Sequence, residues 1–304
     1  MNRKLIPLLL LPVIWGSYYV ASHEALRFLS TFPVGIVIRF LTMILLTAIM
    51  WRKKELGSLF RVKGVLKRLI CIGVLGFLLD ATAFIGLSMA SAGLGTVLLK
   101  CDILFVNLIS VFVYRQKFTP FDWTATFVML FGVVLVLGID PADFDLANAG
   151  NLFFVLSALF VSINAFVIKS VQLDPVNPVS DDVVAYYNNF VTMLLFTLTS
   201  CLTGEAAQLA LIPKNSYLVG ALLLSGLGQT LIYVVYYYNL RRFPVWQVKI
   251  FLLLMPIVSA LISFALFGDT MSGIQYLGMA VVLLGAVSIL VEQHRQEGKQ
   301  PAHP

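Results

Sequence analysis

Five charged residues stand inside otherwise apolar runs of this chain: Arg39, Asp80, Lys100, Asp102 and Lys249. A charge at the bilayer centre costs about 2.5–3.5 kcal/mol on insertion scales, so one retained there is a candidate for holding a charged solute or carrying a proton. Three bases against two acids suit an organic anion or a zwitterion whose carboxylate meets Arg39, Lys100 or Lys249. Asp80 can bind an amine or carry a proton, because burial favours the protonated carboxyl. Asp80 and Asp102 are therefore the candidates for proton coupling.

Helical spacing sorts the neighbours of these charges. Residues two apart on a helix do not face each other, so Lys100 shares a face with Asn107 while Asp102 turns toward a neighbouring helix. Gln229, Tyr233 and either Tyr236 or Tyr237 share one face, with Tyr237 kept in the candidate set. Trp15 recurs with Tyr18 and Tyr19. Arg39, Asn164 and Asn189 add a guanidinium and two amides, and together these residues describe an aromatic cavity with amides and excess positive charge. A hairpin turning near residue 91 would bring Asp80 to the depth of Lys100, making an ion pair between them plausible. Blander roles compete: Arg39 and Lys249 can snorkel to an interface, and tyrosines often form interfacial belts.

Other chemistries find little support. His23, His294 and His303 lie near or beyond the ends of apolar runs, and no metal-spaced set or phosphate-binding loop is present. An enzyme, a metal and a cofactor are therefore not expected. Cys71, Cys101 and Cys201 fit neither a disulfide framework nor a zinc site and read as small buried apolar side chains.

The elements that position these residues follow from composition. Only 12% of the 304 residues are Asp, Glu, Lys or Arg and 60% are hydrophobic, with a mean hydropathy of +0.93. A soluble domain carries about 25% charged residues, so the deficit points to lipid. The net charge of +6 is spread over short gaps rather than gathered on one surface, which argues against nucleic acid.

Crossing the hydrocarbon core takes about 20 apolar residues as helix. Runs of that length predict ten spans, near 5–22, 32–51, 67–89, 94–113, 121–139, 150–169, 183–203, 216–240, 244–267 and 272–291. The first run lacks a small-x-small cleavage site and is expected to be retained. Sixteen Lys and Arg residues fall in loops on one side and two, Arg27 and Lys214, on the other. That asymmetry puts both termini in the cytoplasm. Its weak point is the loop after span six, where Lys169 stands against Asp174, Asp181 and Asp182.

A shift of about 153 residues lays spans three to five on spans eight to ten, with Leu87 on Leu240, Ser110 on Ser263 and Gly132 on Gly285. Lys100 then maps to Leu253, one turn from Lys249, so that both lysines would line one pseudo-symmetric cavity. Five spans per repeat is odd, so the second half enters from the opposite side, the architecture of alternating-access transporters with a midplane site. The expected fold is an all-α polytopic membrane protein of ten transmembrane helices in two inverted five-helix repeats, 1–145 and 146–291. A disordered cytoplasmic tail, 292–304, follows.

Trp15-Gly16-Ser17, Pro33 with Arg39-Phe40, Pro256 with Gly268-Asp269, and Gly278 with Gly285 give the chain a resemblance over about 5–291. It resembles the drug/metabolite transporter superfamily in its ten-helix EamA-like branch. Ile103 replaces a proline, Gln116 an acid and Phe160 a tryptophan of the pattern. The resemblance implies ATP-independent transport of an amino acid, another metabolite or a drug. The sequence thus reads as a secondary transporter, expected to export a small organic metabolite such as an amino acid or organic anion. An obligate antiporter of nucleotide-linked or phosphorylated substrates is the alternative, and a membrane-embedded enzyme the alternative of another class. Expected partners are the substrate, the bilayer, and a proton or counter-substrate, with the protein a monomer or homodimer in the inner membrane of a bacterium.

Overall fold

The computed structural model describes residues 5–89, 98–138, 149–268 and 271–297. Among these residues eleven α-helices follow in order: α1 (Ile6–Leu26), α2 (Thr31–Arg52), α3 (Leu66–Met89), α4 (Asp102–Phe112), α5 (Pro120–Leu137), α6 (Ala149–Gln172), α7 (Asp181–Leu202), α8 (Ser216–Arg242), α9 (Val245–Leu252), α10 (Met255–Phe267) and α11 (Gly273–Glu297). Among the described residues, six helical segments are long and apolar enough to cross a membrane, α9 and α10 counting together as one over Val245–Leu266, or seven if Asp181–Leu202 and its bent continuation Glu205–Lys214 form one span. An all-helical chain with this many apolar spans is an integral membrane protein, because helices satisfy their own backbone hydrogen bonds in lipid.

Local signals set several boundaries. Thr119 and Asp122 form a capping box at the start of α5, which ends at Gly138 with φ +63°. The Asn215 side chain accepts the Leu218 N–H to start α8. The expected ninth span is broken, α9 ending at Leu252 and α10 beginning at Met255. Pro256 explains the break: without an N–H it cannot bond the Leu252 carbonyl, and its ring crowds the preceding turn. The expected fourth span is interrupted at Cys101, between helical residues 98–100 and α4. Its first residues, 94–97, and the expected hairpin turn near 91 lie outside the described residues.

Packing pairs the helices in matched sets. Helix α1 lies on α8 and α6 on α3; α3 touches α7 and α8 touches α2; α1 meets α10 and α6 meets α4. Helix α2 faces α7, and α5 faces α11. The last pair is held by glycines. A Cβ on Gly278 would stand 2.5 Å from the Val136 backbone nitrogen, and one on Gly285 2.4 Å from Met129 Cγ. Gly278→Ala is expected to lower stability by about 1–3 kcal/mol, since backbone cannot yield as a side chain can. Gly273→Ala, on the same helix with nothing within 4 Å, is the control; thermal unfolding in detergent compares them.

One face of the bundle is laced by ion pairs that account for the acidic loop. Arg68 pairs with Asp174, Lys53 with Asp182, and Arg241 Nε with Asp181 at 2.7 Å. Ser180 donates to Glu55 at 2.9 Å and Tyr187 to the Leu59 carbonyl at 2.8 Å. The Arg68 guanidinium and the N–H groups of Asn177 and Val176 hold the Asp174 carboxyl down at about 2. A carboxyl depressed on folding contributes stability that is present above its unfolded value, about 3.9, and lost as pH falls toward 2. Asp174→Asn is therefore expected to lower the melting temperature at pH 7, and the difference from the parent is expected to close between about pH 4 and pH 2.

Two expectations need correction. Cys71 and Cys201 are exposed and Cys101 is partly so, because the outer surface of a membrane bundle is itself apolar and lipid accepts a thiol. Helix α11 runs to Glu297, six residues into the expected tail, because the apolar helix carries its hydrogen-bond ladder onward into polar sequence. Residues 298–304 lie outside the described residues.

Candidate functional site

The interior of the bundle encloses a cavity of about 140 Å³. Its walls come from α1, α2, α3, α6, α7 and α8, which contribute Trp15 and Tyr18, Arg39, Asp80, Asn164, Asn188, and Gln229 with Tyr233, Tyr236 and Tyr237. Residues far apart in sequence converge on one cavity.

An ion pair forms part of its wall. Arg39 Nη2 donates to Asp80 Oδ2 at 2.9 Å, and Nη1 donates to the Tyr233 hydroxyl. The Asn189 amide donates to the Arg39 carbonyl at 2.8 Å, tying α7 to the helix that carries the guanidinium. Gly76 lines the same cavity one turn before Asp80. A Cβ there would reach Asn188 Oδ1 at 2.7 Å, so glycine lets α3 and α7 approach.

Aromatic rings form the remaining wall. Trp15 and Tyr236 meet edge to face at 5.4 Å, and Tyr233 and Tyr237 at 5.5 Å. Edge-to-face pairs hold their geometry, and Asn188 fixes the Tyr237 hydroxyl by donating to it at 2.6 Å. The Asn164 amide oxygen, buried at the cavity wall, has no hydrogen-bond partner among the described residues.

The expected residues divide. The cavity gathers Trp15, Tyr18, Arg39, Asp80, Asn164, Gln229, Tyr233 and Tyr237. Asn189 stands behind it, positioning Arg39. Tyr19 is 45% exposed on another face of α1. Asn107 is buried between α4 and α5, donating to Thr126 at 3.2 Å. Asn188 and Tyr236 belong to the cavity and were not in the expected set; Asn188 was legible as the neighbour of Asn189, and Tyr236 shares the face already drawn through Gln229.

The expected Asp80–Lys100 pair does not form. Arg39 takes Asp80, and Lys100 Nζ lies 3.6 Å from the Met255 sulfur. Lys249 does not snorkel: it is 2% exposed and pairs with Asp102 at 2.7 Å, its ammonium 5.8 Å from the centre of the Tyr236 ring. Asp102 thus meets a neighbouring helix, as its position two residues from Lys100 predicted. The pair stands behind Tyr236, outside the cavity walls, so the two lysines do not line the central cavity together. The breaks at Cys101 and at Leu253–Leu254 flank this pair.

A helical membrane bundle built around a small interior site with a paired guanidinium and carboxylate is a transporter-like architecture. The EamA-like transporter family matches the chain twice, over residues 3–138 and 148–291, and the chain belongs to that family. It is a transporter and not an enzyme. A Salmonella typhimurium (strain LT2) protein described as a "probable amino-acid metabolite efflux pump" is 24% identical over 281 residues, covering 91% of each chain. A solved crystal structure shares the fold, with a TM-score of 0.81 at 18% identity over 98% of this chain and 100% of that one.

Proposed function

We propose that the protein is a secondary transporter that exports a small zwitterionic metabolite of the amino-acid class by alternating access. The single observation that carries this reading is the Arg39–Asp80 pair inside a cavity of about 140 Å³. With one base and one acid in the walls, the site balances a zwitterion better than a bare anion. The solute's carboxylate replaces Asp80 on Arg39, and its ammonium takes Asp80 and the amide oxygen of Asn164. An apolar cavity of about 150 Å³ holds a molecule the size of benzene, which fits a small amino acid. It does not fit a nucleotide-linked substrate, and this disfavours the exchanger reading. The named amino-acid pump among the relatives agrees in substrate class.

Ten crossings in two inverted halves, 1–145 and 146–291, complete the proposal. The family match falls separately on each half. A two-fold operation exchanging the halves turns several of the main helix pairings into one another, α1–α8 into α6–α3 and α3–α7 into α8–α2. The 153-residue offset also carries Cys101 onto Leu254, so both broken helices break at equivalent places. Rocking of one half against the other would open the site alternately. Two of the ion pairs on the basic face, Arg68–Asp174 and Lys53–Asp182, join residues of different halves and must part for that face to open. Basic loops assign this face, with both termini, to the cytoplasmic side of a bacterial inner membrane. Asp80, in contact with the solute, is the carboxylate assigned to proton coupling; Asp102 is held by Lys249.

Ligand-induced thermal shift against a panel of amino acids, organic anions and nucleotide sugars tests the class. Small zwitterions are expected to raise the melting temperature of the parent and not of Asp80→Asn. Stabilisation by anions alone, retained in Asp80→Asn, would overturn the assignment.

A further inference from the structure

A second, larger hollow of about 770 Å³ lies on the outside of the bundle between α1, α8 and α10. Its walls are Val13, Leu224, Leu227, Leu231, Ile262 and Leu266, and polar side chains gather at one end, where Glu24 meets Tyr217. Two positions of α8 in the hollow, Gly220 and Gly228, have no side chain. Along α1 it runs from Val13 to Glu24, about 16 Å at 1.5 Å per residue. That is the depth of one leaflet in a hydrocarbon core about 30 Å thick. An apolar channel of this length, polar at the interfacial end, has the dimensions of one acyl chain under its headgroup.

The charges at the mouth select the headgroup. Glu24 Oε2 accepts from the Tyr217 hydroxyl at 2.8 Å and from Arg27 Nη1 at 3.0 Å. Its other oxygen, Oε1, has the His23 ring nitrogen at 3.8 Å. Glu24 is nearly buried, while Arg27, which with His23 lines the adjoining hollow on the other side of Glu24, has a side chain 63% exposed at the helix end. A carboxylate oxygen beside an outward guanidinium matches a headgroup with an ammonium N–H donor next to a phosphate. We propose that this hollow is a binding site for an aminophospholipid of the phosphatidylethanolamine type, its ammonium on Glu24, its phosphate on Arg27 and one acyl chain along α1. A choline headgroup lacks the N–H to donate, and a glycerol headgroup lacks the positive charge.

The site touches the transport cavity through one residue. Tyr18 lines both hollows, and its Cβ lies 3.0 Å from where a Gly228 Cβ would stand. The lipid therefore packs against the outer side of a wall of the central site.

Delipidated protein is titrated with phosphatidylethanolamine, phosphatidylcholine or phosphatidylglycerol in mixed micelles, and bound lipid is counted by native mass spectrometry alongside the melting temperature. Phosphatidylethanolamine is expected to be retained about tenfold better than phosphatidylcholine, the effect of one charge-assisted hydrogen bond. Glu24→Gln, which can still accept from Tyr217, is expected to erase that preference while leaving chain binding. Gly220→Leu fills the hollow from a position with nothing within 4 Å and is expected to lose retention of every lipid. Equal retention of the three lipids by the parent, an unchanged preference in Glu24→Gln, or full retention in Gly220→Leu would each overturn the proposal. None of these readouts depends on transport, so this site and the proposed substrate class fail separately.

Discussion

Arg39→Ala is expected to destabilise the protein by about 3 kcal/mol and to abolish binding of any zwitterionic ligand. Removing one partner of a buried ion pair costs about 3–5 kcal/mol because the other charge is left without compensation. The lower end applies here, since the Asp80 side chain keeps 25% of its exposure toward the cavity. The Tyr233 hydroxyl also loses its donor. Replacing both charges separates structure from function. Arg39→Leu with Asp80→Leu is expected to recover most of the lost stability, because apolar residues often replace a buried pair at little cost. It is expected to remain unable to bind ligand. Chemical denaturation gives the first quantity and thermal shift with ligand the second. A double variant that binds would remove the pair from the recognition site.

Lys249→Met is expected to cost more, about 4–5 kcal/mol, because Lys249 is 2% exposed and Asp102 is deeply placed as well. The loss concentrates where two broken helices meet, α9 before Leu253 and α4 after Cys101. Adding Asp102→Leu is expected to restore folding, and here ligand binding is expected to return too, since neither side chain lines the cavity. The contrast between the two double variants is the useful result. One pair is assigned recognition, the other support of the helix breaks.

Most of the architecture was legible because lipid imposes a coarse constraint. Among the described residues the apolar runs became helix near the places expected, though those at 94–113 and 244–267 are interrupted at Cys101 and at Leu253–Leu254, and the acids after span six found bases across the face, Asp174 on Arg68 and Asp182 on Lys53. Pairing among the interior charges was not legible. Arg39, Asp80 and Lys100 lie on different helices, and partner choice depends on helix rotation and on close approaches such as Gly76 against Asn188. A sequence period records which residues share a face but not which face meets which. The break at Cys101 had no proline to announce it, whereas that before Pro256 did. The candidate cavity was legible in part for the same reason: Gln229 and Tyr233 followed from one helix face, while the exclusion of Lys100, Lys249 and Asn107 followed from how helices pack.

Efflux from proteoliposomes tests the central claim most directly. Vesicles carrying the purified protein are loaded with a labelled small amino acid, and its release is followed with and without a proton gradient. The account predicts release by the parent, acceleration by the gradient, and loss of both with Arg39→Leu and Asp80→Leu. Release that persists in that double variant, or no release of any small zwitterion by the parent, would contradict it.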